Sequence, residues 1–372
     1  MSRSFLWNYL LPNMVYLSEQ EFGTWNGEVV KKYTWRTDNG FSLSAISFGA
    51  VVQNINVPDR DGNISDVVLG FDDLDSYVNR NVKNFGGVIG RCTNRIAEGT
   101  FQIDGVTHRL TKNRDGHHVH GGNLAFDKVN WSSSVDGNKV IFSRLSKDGE
   151  EGYPGELLTN IIYEVRDDNT WCIEYLASTT AKTIVNLTNH SYFNLAGHET
   201  GAEELYNHIV AMNCDKILEV RSDWIPTGRL LPVAGSAFDL RTPRRLGDII
   251  EDSDILFHHN FCVSRSGNNG LNFISRVTHP ATGRYLDVYS DQPSLLFYNA
   301  NFFPKRDEPG LPGKDGAMYR RHAGMCLEAQ NYVDAVHHPM FPTVILKPGD
   351  IYKQKTEYRF GVLNGFGIIS PA

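Results

Sequence analysis

Cysteine is sparse and never clustered in this chain: Cys92, Cys172, Cys214, Cys262 and Cys326 make five, widely spread and nowhere in a CxxC arrangement. An odd, scattered set argues against a disulfide framework, and free thiols in a reducing compartment are the expectation. Basic residues are outnumbered, 36 Lys and Arg against 43 Asp and Glu, giving a net charge of -7 and a pI near 6.0. That balance excludes the basic face a nucleic acid or an anionic membrane would want. No apolar run approaches the ~20 residues needed to span a bilayer. Residues 1–17 (MSRSFLWNYLLPNMVYL) come nearest, but Asn8, Pro12 and Asn13 interrupt them and no small-residue cleavage site follows. A cytoplasmic protein with a loose N-terminal extension over 1–21 is expected.

Also missing are internal repeats, low-complexity tracts and any Ser/Gly linker, so residues 22–372 read as a single domain. With 41% hydrophobic and 21% charged residues the chain can build a substantial core. Helical signal is thin: Asp72 to Asn79, and Arg244 to Glu251 after Pro243, are the two short candidates. Strand-like segments dominate instead, among them Phe41 to Phe48, Val51 to Val57, Asp66 to Phe71, Lys139 to Ser146, Leu158 to Val165, Trp171 to Ser178, Ser294 to Tyr298 and Ile351 to Val362. Asp104-Gly105, Asp136-Gly137-Asn138 and Arg166 to Asn169 are turn signals between them. Many strands and turns without amphipathic helices predict an all-β fold, a large antiparallel sandwich.

Against that background a few stretches stand out. Thr183 to Gly197 reads TIVNLTNHSYFNLAG, an alternating strand with Val185 and Leu187 on one face and Asn186, Thr188 and His190 on the other. It is either a half-solvated strand or the wall of a hydrogen-bonding pocket. Arg91 to Arg95 (RCTNR) follows the glycine run 86–90; without a Lys-Ser/Thr ending or a following helix a phosphate loop has little support, and a turn orienting Asn94 and Arg95 fits better. His117, His118 and His120 invite a metal reading that lacks Cys or Asp partners at ligand spacing, and His120, before Gly121-Gly122, is the one placed at a site. Glu328 in MCLEAQNY alternates against Leu327 and Ala329, so it is an exposed strand residue or a catalytic carboxylate. No GxSxG elbow supports a hydrolase triad. Residues 305–316 (KRDEPGLPGKDG) form a loop by composition, expected at the mouth of the cleft.

Taken together, GRCTNRIAEGTF, HVHGG, GYPGE, VNLTNHSYFNLAG, FDLRTP, HHNFCV and CLEAQNYVDAVHHPMFPTVILKPGD resemble the aldose 1-epimerases, or galactose mutarotases, in order from about Phe22 to Phe360. The likeness is greatest to the animal galactose mutarotases. It implies a large antiparallel β-supersandwich with few short helices, whose cleft holds a free aldohexose, with no cofactor, no metal, and a monomeric state. His190 then matches the general acid, Glu328 the general base and His120 a second histidine on the ring oxygen or a neighbouring hydroxyl. Asn94, Arg95 and Gln292 match sugar-binding positions. Acid-base catalysis would need a protonated His190, a state that a nearby carboxylate such as Glu328 favours.

One departure stands in the motif. The family pattern reads Asp-His-Asn-Phe where this chain has His258-His259-Asn260-Phe261, so His258 replaces a substrate-binding carboxylate. An imidazole accepts at one nitrogen at most, and a lost charge-assisted hydrogen bond costs about 1.5 to 3 kcal/mol. Asp254 could compensate only through a rearranged loop. Two alternatives stay open: a catalytically weakened sugar-binding or regulatory paralogue, and a hexose-6-phosphate 1-epimerase anchored by Arg244 and Arg245.

Overall fold

Every ladder between the strands is antiparallel, and two large sheets carry the architecture of the computed structural model, which describes residues 14–253, 255–264 and 270–363. The larger sheet has nine strands, in the order Ser132–Asp136, Lys139–Ser146, Leu157–Val165, Thr170–Thr179, Tyr352–Val362, Arg284–Ser290, Asn272–Thr278, Ile209–Met212 and Arg244–Arg245. The second has six: Tyr192–Phe193, Met325–Gln330, Ser294–Tyr298, His258–Val263, Cys214–Val220 and Pro226–Pro232. A five-stranded sheet begins with Val15–Trp25, paired along its length with Glu28–Thr37. The expected boundary at residue 22 therefore falls inside a strand. Ladder pairing uses the backbone of residues 15–21, so this part of the expected extension is a sheet edge.

Alternation along Met325–Gln330 explains how the sheets hold a cleft. Met325, Leu327 and Ala329 point into the main core with Tyr358 and Phe360 of the larger sheet, and Tyr358 Oη donates to the Leu327 carbonyl at 2.8 Å. Cys326, Glu328 and Gln330 must then point to the opposite face. The alternating hydrophobic pattern is what commits one face to the core and leaves the other for chemistry.

Turn chemistry behaves as the residues demand. Asp104 and Gly105, at φ 53° and 78°, close the hairpin between Thr100–Ile103 and Val106–Arg109. The helix expected over 72–79 forms at Leu74–Asn79, where the Asp73 carboxylate accepts from Ser76 N at 2.8 Å as its N-cap. The second expected helix lies at Leu246–Ser253, and the short Gly201–Leu205 helix had no sequence signal. All five cysteines are buried free thiols. Among the described residues no helix is long and apolar enough to cross a membrane.

Two expectations need correction. Thr183–Gly197 is not one strand: its two-residue ladders at Thr183–Ile184, Thr188–Asn189 and Tyr192–Phe193 join three different partners, and both of its faces are buried. The loop 305–316 does not simply line a mouth. Lys314 is buried and its ammonium pairs with Asp66 and the Gln53 carbonyl, while Lys305 and Arg306 border a separate cavity of about 810 Å³ with Tyr206 and His322.

Candidate active site

Register across the six-stranded sheet assembles one wall. Tyr192 lies opposite Cys326, Cys326 opposite Tyr298, and Tyr298 opposite His258; in the next row Glu328 lies opposite Leu296, which faces Asn260. Directly opposed residues share a face, so His258, Tyr298, Cys326, Glu328 and Tyr192 all look into the same space. Ring contacts trace it: His258 to Tyr298 at 5.3 Å, Tyr298 to Tyr192 at 6.0 Å, Tyr192 stacked on His190 at 5.0 Å, and His190 to His120 at 5.2 Å.

His190 is clamped by its backbone. Its N–H donates to the Gly87 carbonyl at 2.9 Å and its own carbonyl accepts from Gly86 N at 3.1 Å. A Cβ on Gly86 would stand 2.2 Å from the Val52 carbonyl oxygen, so the glycine run serves close backbone packing rather than a phosphate. The other polar residues of the segment are spent on structure. Asn186 exchanges hydrogen bonds with the Asn331 backbone and Thr188 donates to the Ala329 carbonyl, which leaves His190 as the chemical group.

Across the cleft the two motifs RCTNR and HVHGG lock together. Asn94 N donates to His120 Nδ1 at 3.2 Å, and His120 N donates back to the Asn94 carbonyl at 2.9 Å. With Nδ1 accepting, a neutral His120 carries its proton on Nε2. His120 sits at φ 53° and Gly121 at 85°, and a Cβ on Gly121 would be 1.8 Å from the Gly90 carbonyl oxygen. Only glycine allows this approach. The neighbouring imidazoles are engaged elsewhere: His117 Nδ1 accepts from Glu98 N, and His118 bonds the Thr111 carbonyl and Tyr153 Oη. The three histidines diverge, which disposes of a shared metal.

Glu328 is fully buried and His190 Nε2 stands 3.6 Å from its Oε1. Neither carboxylate oxygen has a hydrogen bond, and burial holds this carboxyl well above the usual carboxylate range. Burial also pushes the His190 imidazole down to about 4, with the Arg114 charge adding a little. Burial thus works against the imidazolium that the acid role asks for, and it favours the neutral form of both groups. Cys326 Sγ lies 3.5 Å from His190 Nδ1. His190, Cys326 and Glu328 offer ligand atoms within 4.8 Å of one another. As metal donors, thiol and carboxyl would both have to lose protons that burial makes them hold.

Asn94 and Arg95 are buried beside His120; the Arg95 Nη1 to Asn94 Oδ1 distance is 3.5 Å. His258 shows its Nδ1 to no partner and packs edge-on against Trp224 at 4.9 Å and Phe302 at 5.5 Å. The Gln292 amide donates to Asp291 Oδ1 at 3.0 Å, and among the described residues no hydrogen bond joins its side chain to His190 or Glu328. Arg244 and Arg245 pair with Ile209–Met212 at the far edge of the nine-stranded sheet, and Arg245 binds Asp248, so they are not anchors for a 6-phosphate here. Asp254 lies outside the described residues.

Four residues of the wall had no functional reading from sequence. Tyr298, Trp224 and Phe302 are ordinary strand and loop aromatics there, and Gln330 has one signal only, its place two residues beyond Glu328. Gln330 is fully buried with neither amide atom hydrogen-bonded.

Residues 31–359 match the family model described as aldose 1-epimerase. The chain belongs to that family. It is 45% identical over 337 residues to a galactose mutarotase of Pongo abelii, covering 90% of this chain and 95% of the relative. An aldose 1-epimerase of Escherichia coli K12 is 31% identical, with 90% and 96% covered. A solved aldose epimerase homologue from C. elegans superposes with a TM-score of 0.81 at 28% identity, covering 88% of this chain and 97% of that one. The protein is accordingly an enzyme, a carbohydrate isomerase, on an antiparallel sandwich.

Proposed function

We propose that the protein interconverts the α and β anomers of free aldohexoses such as galactose and glucose, with Glu328 as general base and His190 as general acid. The observation that carries this reading is the His190–Glu328 pair, 3.6 Å apart, buried, with neither carboxylate oxygen hydrogen-bonded. Ring opening requires removal of the anomeric hydroxyl proton and delivery of a proton to the ring oxygen. Rotation about the first carbon–carbon bond and reclosure then give the other anomer.

Proton accounting suits the pair. A sugar hydroxyl donating to Glu328 stabilises the carboxylate, so the resting proton moves to His190 as substrate settles. The carboxylate then takes the anomeric proton while His190 gives its own to the ring oxygen. The pair returns to carboxylic acid and neutral imidazole, its resting state, and reclosure runs the same transfers backwards. No net proton is gained or lost. His120, with its Nε2–H, supplies a hydrogen bond to the ring oxygen or a neighbouring hydroxyl. Asn94, Arg95 and His258 hold other hydroxyls, and Gln292 is the least supported of the sugar-binding set.

Exchange of the anomeric proton signals of D-galactose and D-glucose, followed by NMR with and without protein, tests the assignment. Exchange accelerated by catalytic amounts of protein is expected. Saturable binding without acceleration would mean a sugar-binding protein on this fold.

A further inference from the structure

Among the described residues the cleft is short of negative charge. Glu328 is the carboxyl of the catalytic pair, and burial disfavours its charged form. Three cations lie on the His258 side of the site. Arg95 is 7% exposed and forms no ion pair among the described residues; its one hydrogen bond is the 3.5 Å approach to Asn94. Arg114 is exposed, and its charge reaches His120, His190 and His258 alike. Lys83 Nζ donates to the Phe302 carbonyl at 2.8 Å, beside the ring that packs on His258. The nearest counter-charges are Asp115 and Asp223; both are felt by Arg95, but Asp223 is held by Arg221 at 2.8 Å and neither pairs with Arg95.

A guanidinium taken out of water without an anion is costly, and a neutral sugar cannot supply one. His258 adds a second open valence. It stands where the related motif has a carboxylate, its Nδ1 is sealed from solvent without a partner, and Arg95 and His190 lie close enough for their charges to act on its ring. The strand carrying it is two strands from that of Glu328, a lateral offset of about 10 Å at ~4.8 Å per strand, so a ligand that meets both crosses the face of the intervening strand, which carries Tyr298.

We propose that the cleft is matched to an aldose bearing a carboxylate, a hexuronate, whose acid group lies between the Arg95 guanidinium and the His258 imidazole while its anomeric centre meets His190 and Glu328. The proposal rests on the mutarotase reading above and names its substrate class. An Arg fork and an imidazole N–H together satisfy a planar carboxylate, whereas an Asp at position 258 would repel it. The reaction is unchanged: the same two protons move at the anomeric centre, and the carboxylate takes no part.

The test is anomer exchange on D-galacturonate and D-glucuronate beside D-galactose, D-glucose and D-glucose 6-phosphate, at low and high salt, for the parent, His258→Asp and Arg114→Ala. The expected result is a kcat/KM for a hexuronate at least tenfold above that for its neutral hexose, falling with salt. His258→Asp should lower the hexuronate-to-hexose ratio by about 10- to 150-fold. Arg114 is exposed, so its variant stays readable if His258→Asp fails to fold, and it should lower the hexuronate rate more than the hexose rate. Acceleration of hexoses but not hexuronates would overturn the proposal and leave the mutarotase reading standing. A faster reaction with the 6-phosphate than with either hexuronate would overturn the carboxylate assignment. Acceleration of no sugar would overturn both.

Discussion

His190 Nε2 and Glu328 Oε1 face each other at 3.6 Å, and both residues are buried. The relationship binds two segments more than a hundred residues apart, one pinned by a glycine run and the other by an alternating strand. Burial favours the neutral form of each group, a state in which the pair holds a single proton.

That state predicts a flat pH profile around neutrality. Activity needs the one-proton form of the pair, so kcat/KM should fall on the acid side as His190 protonates beside a protonated Glu328, near its value of about 4. On the alkaline side it should fall only where Glu328 gives up the last proton, above the usual carboxylate range. Initial rates from pH 3 to 10 check this. An acid limb centred at 6.5 would instead indicate a solvated, independent imidazole.

Stability should depend on pH through the buried histidines. His190, His259 and His322 are pushed down to about 4 and His208 to about 3, each chiefly by burial. Unfolded, these groups bind protons below pH 6.5, so the unfolded state holds more protons and stability falls as pH drops from about 6.5 toward 4. The raised carboxyls of Glu328 and Asp127 oppose this, since they favour the fold at low pH and lose that contribution as pH rises. His118, His120, His258 and His279 are lowered as well, so eight lowered histidines stand against two raised carboxyls and a raised His337, and the lowered histidines dominate. Denaturant midpoints should therefore decline between pH 6.5 and 4.5, and a midpoint that rises on acidification would contradict the assignment.

Gly121→Ala probes the lock between the two motifs. The added methyl would meet the Gly90 carbonyl oxygen at 1.8 Å in a backbone with φ 85°, and the segment must shift. A loss of about 1 to 3 kcal/mol is expected, together with reduced kcat because His120 moves with its neighbour. Thermal melting and rate measurements separate the two effects.

Lys314→Ala tests a buried ion pair outside the cleft. Removing the ammonium leaves Asp66 with Asn54 and two backbone N–H donors but no counter-charge. A loss of about 3 to 5 kcal/mol follows from breaking one side of such a pair. Anomer exchange per folded molecule should be unaltered.

Much of this architecture could be read from residues. Strand alternation located Lys139–Ser146 and Ser294–Tyr298 to the residue, and Asp104-Gly105 announced its hairpin, because period and turn chemistry are local properties. Thr183–Gly197 reads as one strand and is not, since its ladders lie with partners far away in sequence. His190, Glu328, His120, Asn94 and Arg95 came from motif likeness, and the sheets bring them together. Trp224, Phe302 and Gln330 carry no local signature of a site: an aromatic or an amide becomes part of a wall only through register. The resting protonation of His190 was also beyond sequence. A carboxylate neighbour raises an imidazole and burial lowers it, and only the packed structure says that burial wins.

The most direct test is polarimetry on freshly dissolved α-D-galactose with the parent protein, Glu328→Gln and His190→Asn. The parent should speed the decay of rotation, and each variant should lose about 100- to 10,000-fold in kcat while binding sugar, with the double variant no worse than the weaker single one. A Glu328→Gln protein that keeps the parent rate would contradict the account, because the carboxyl facing His190 would then have no part in moving the proton.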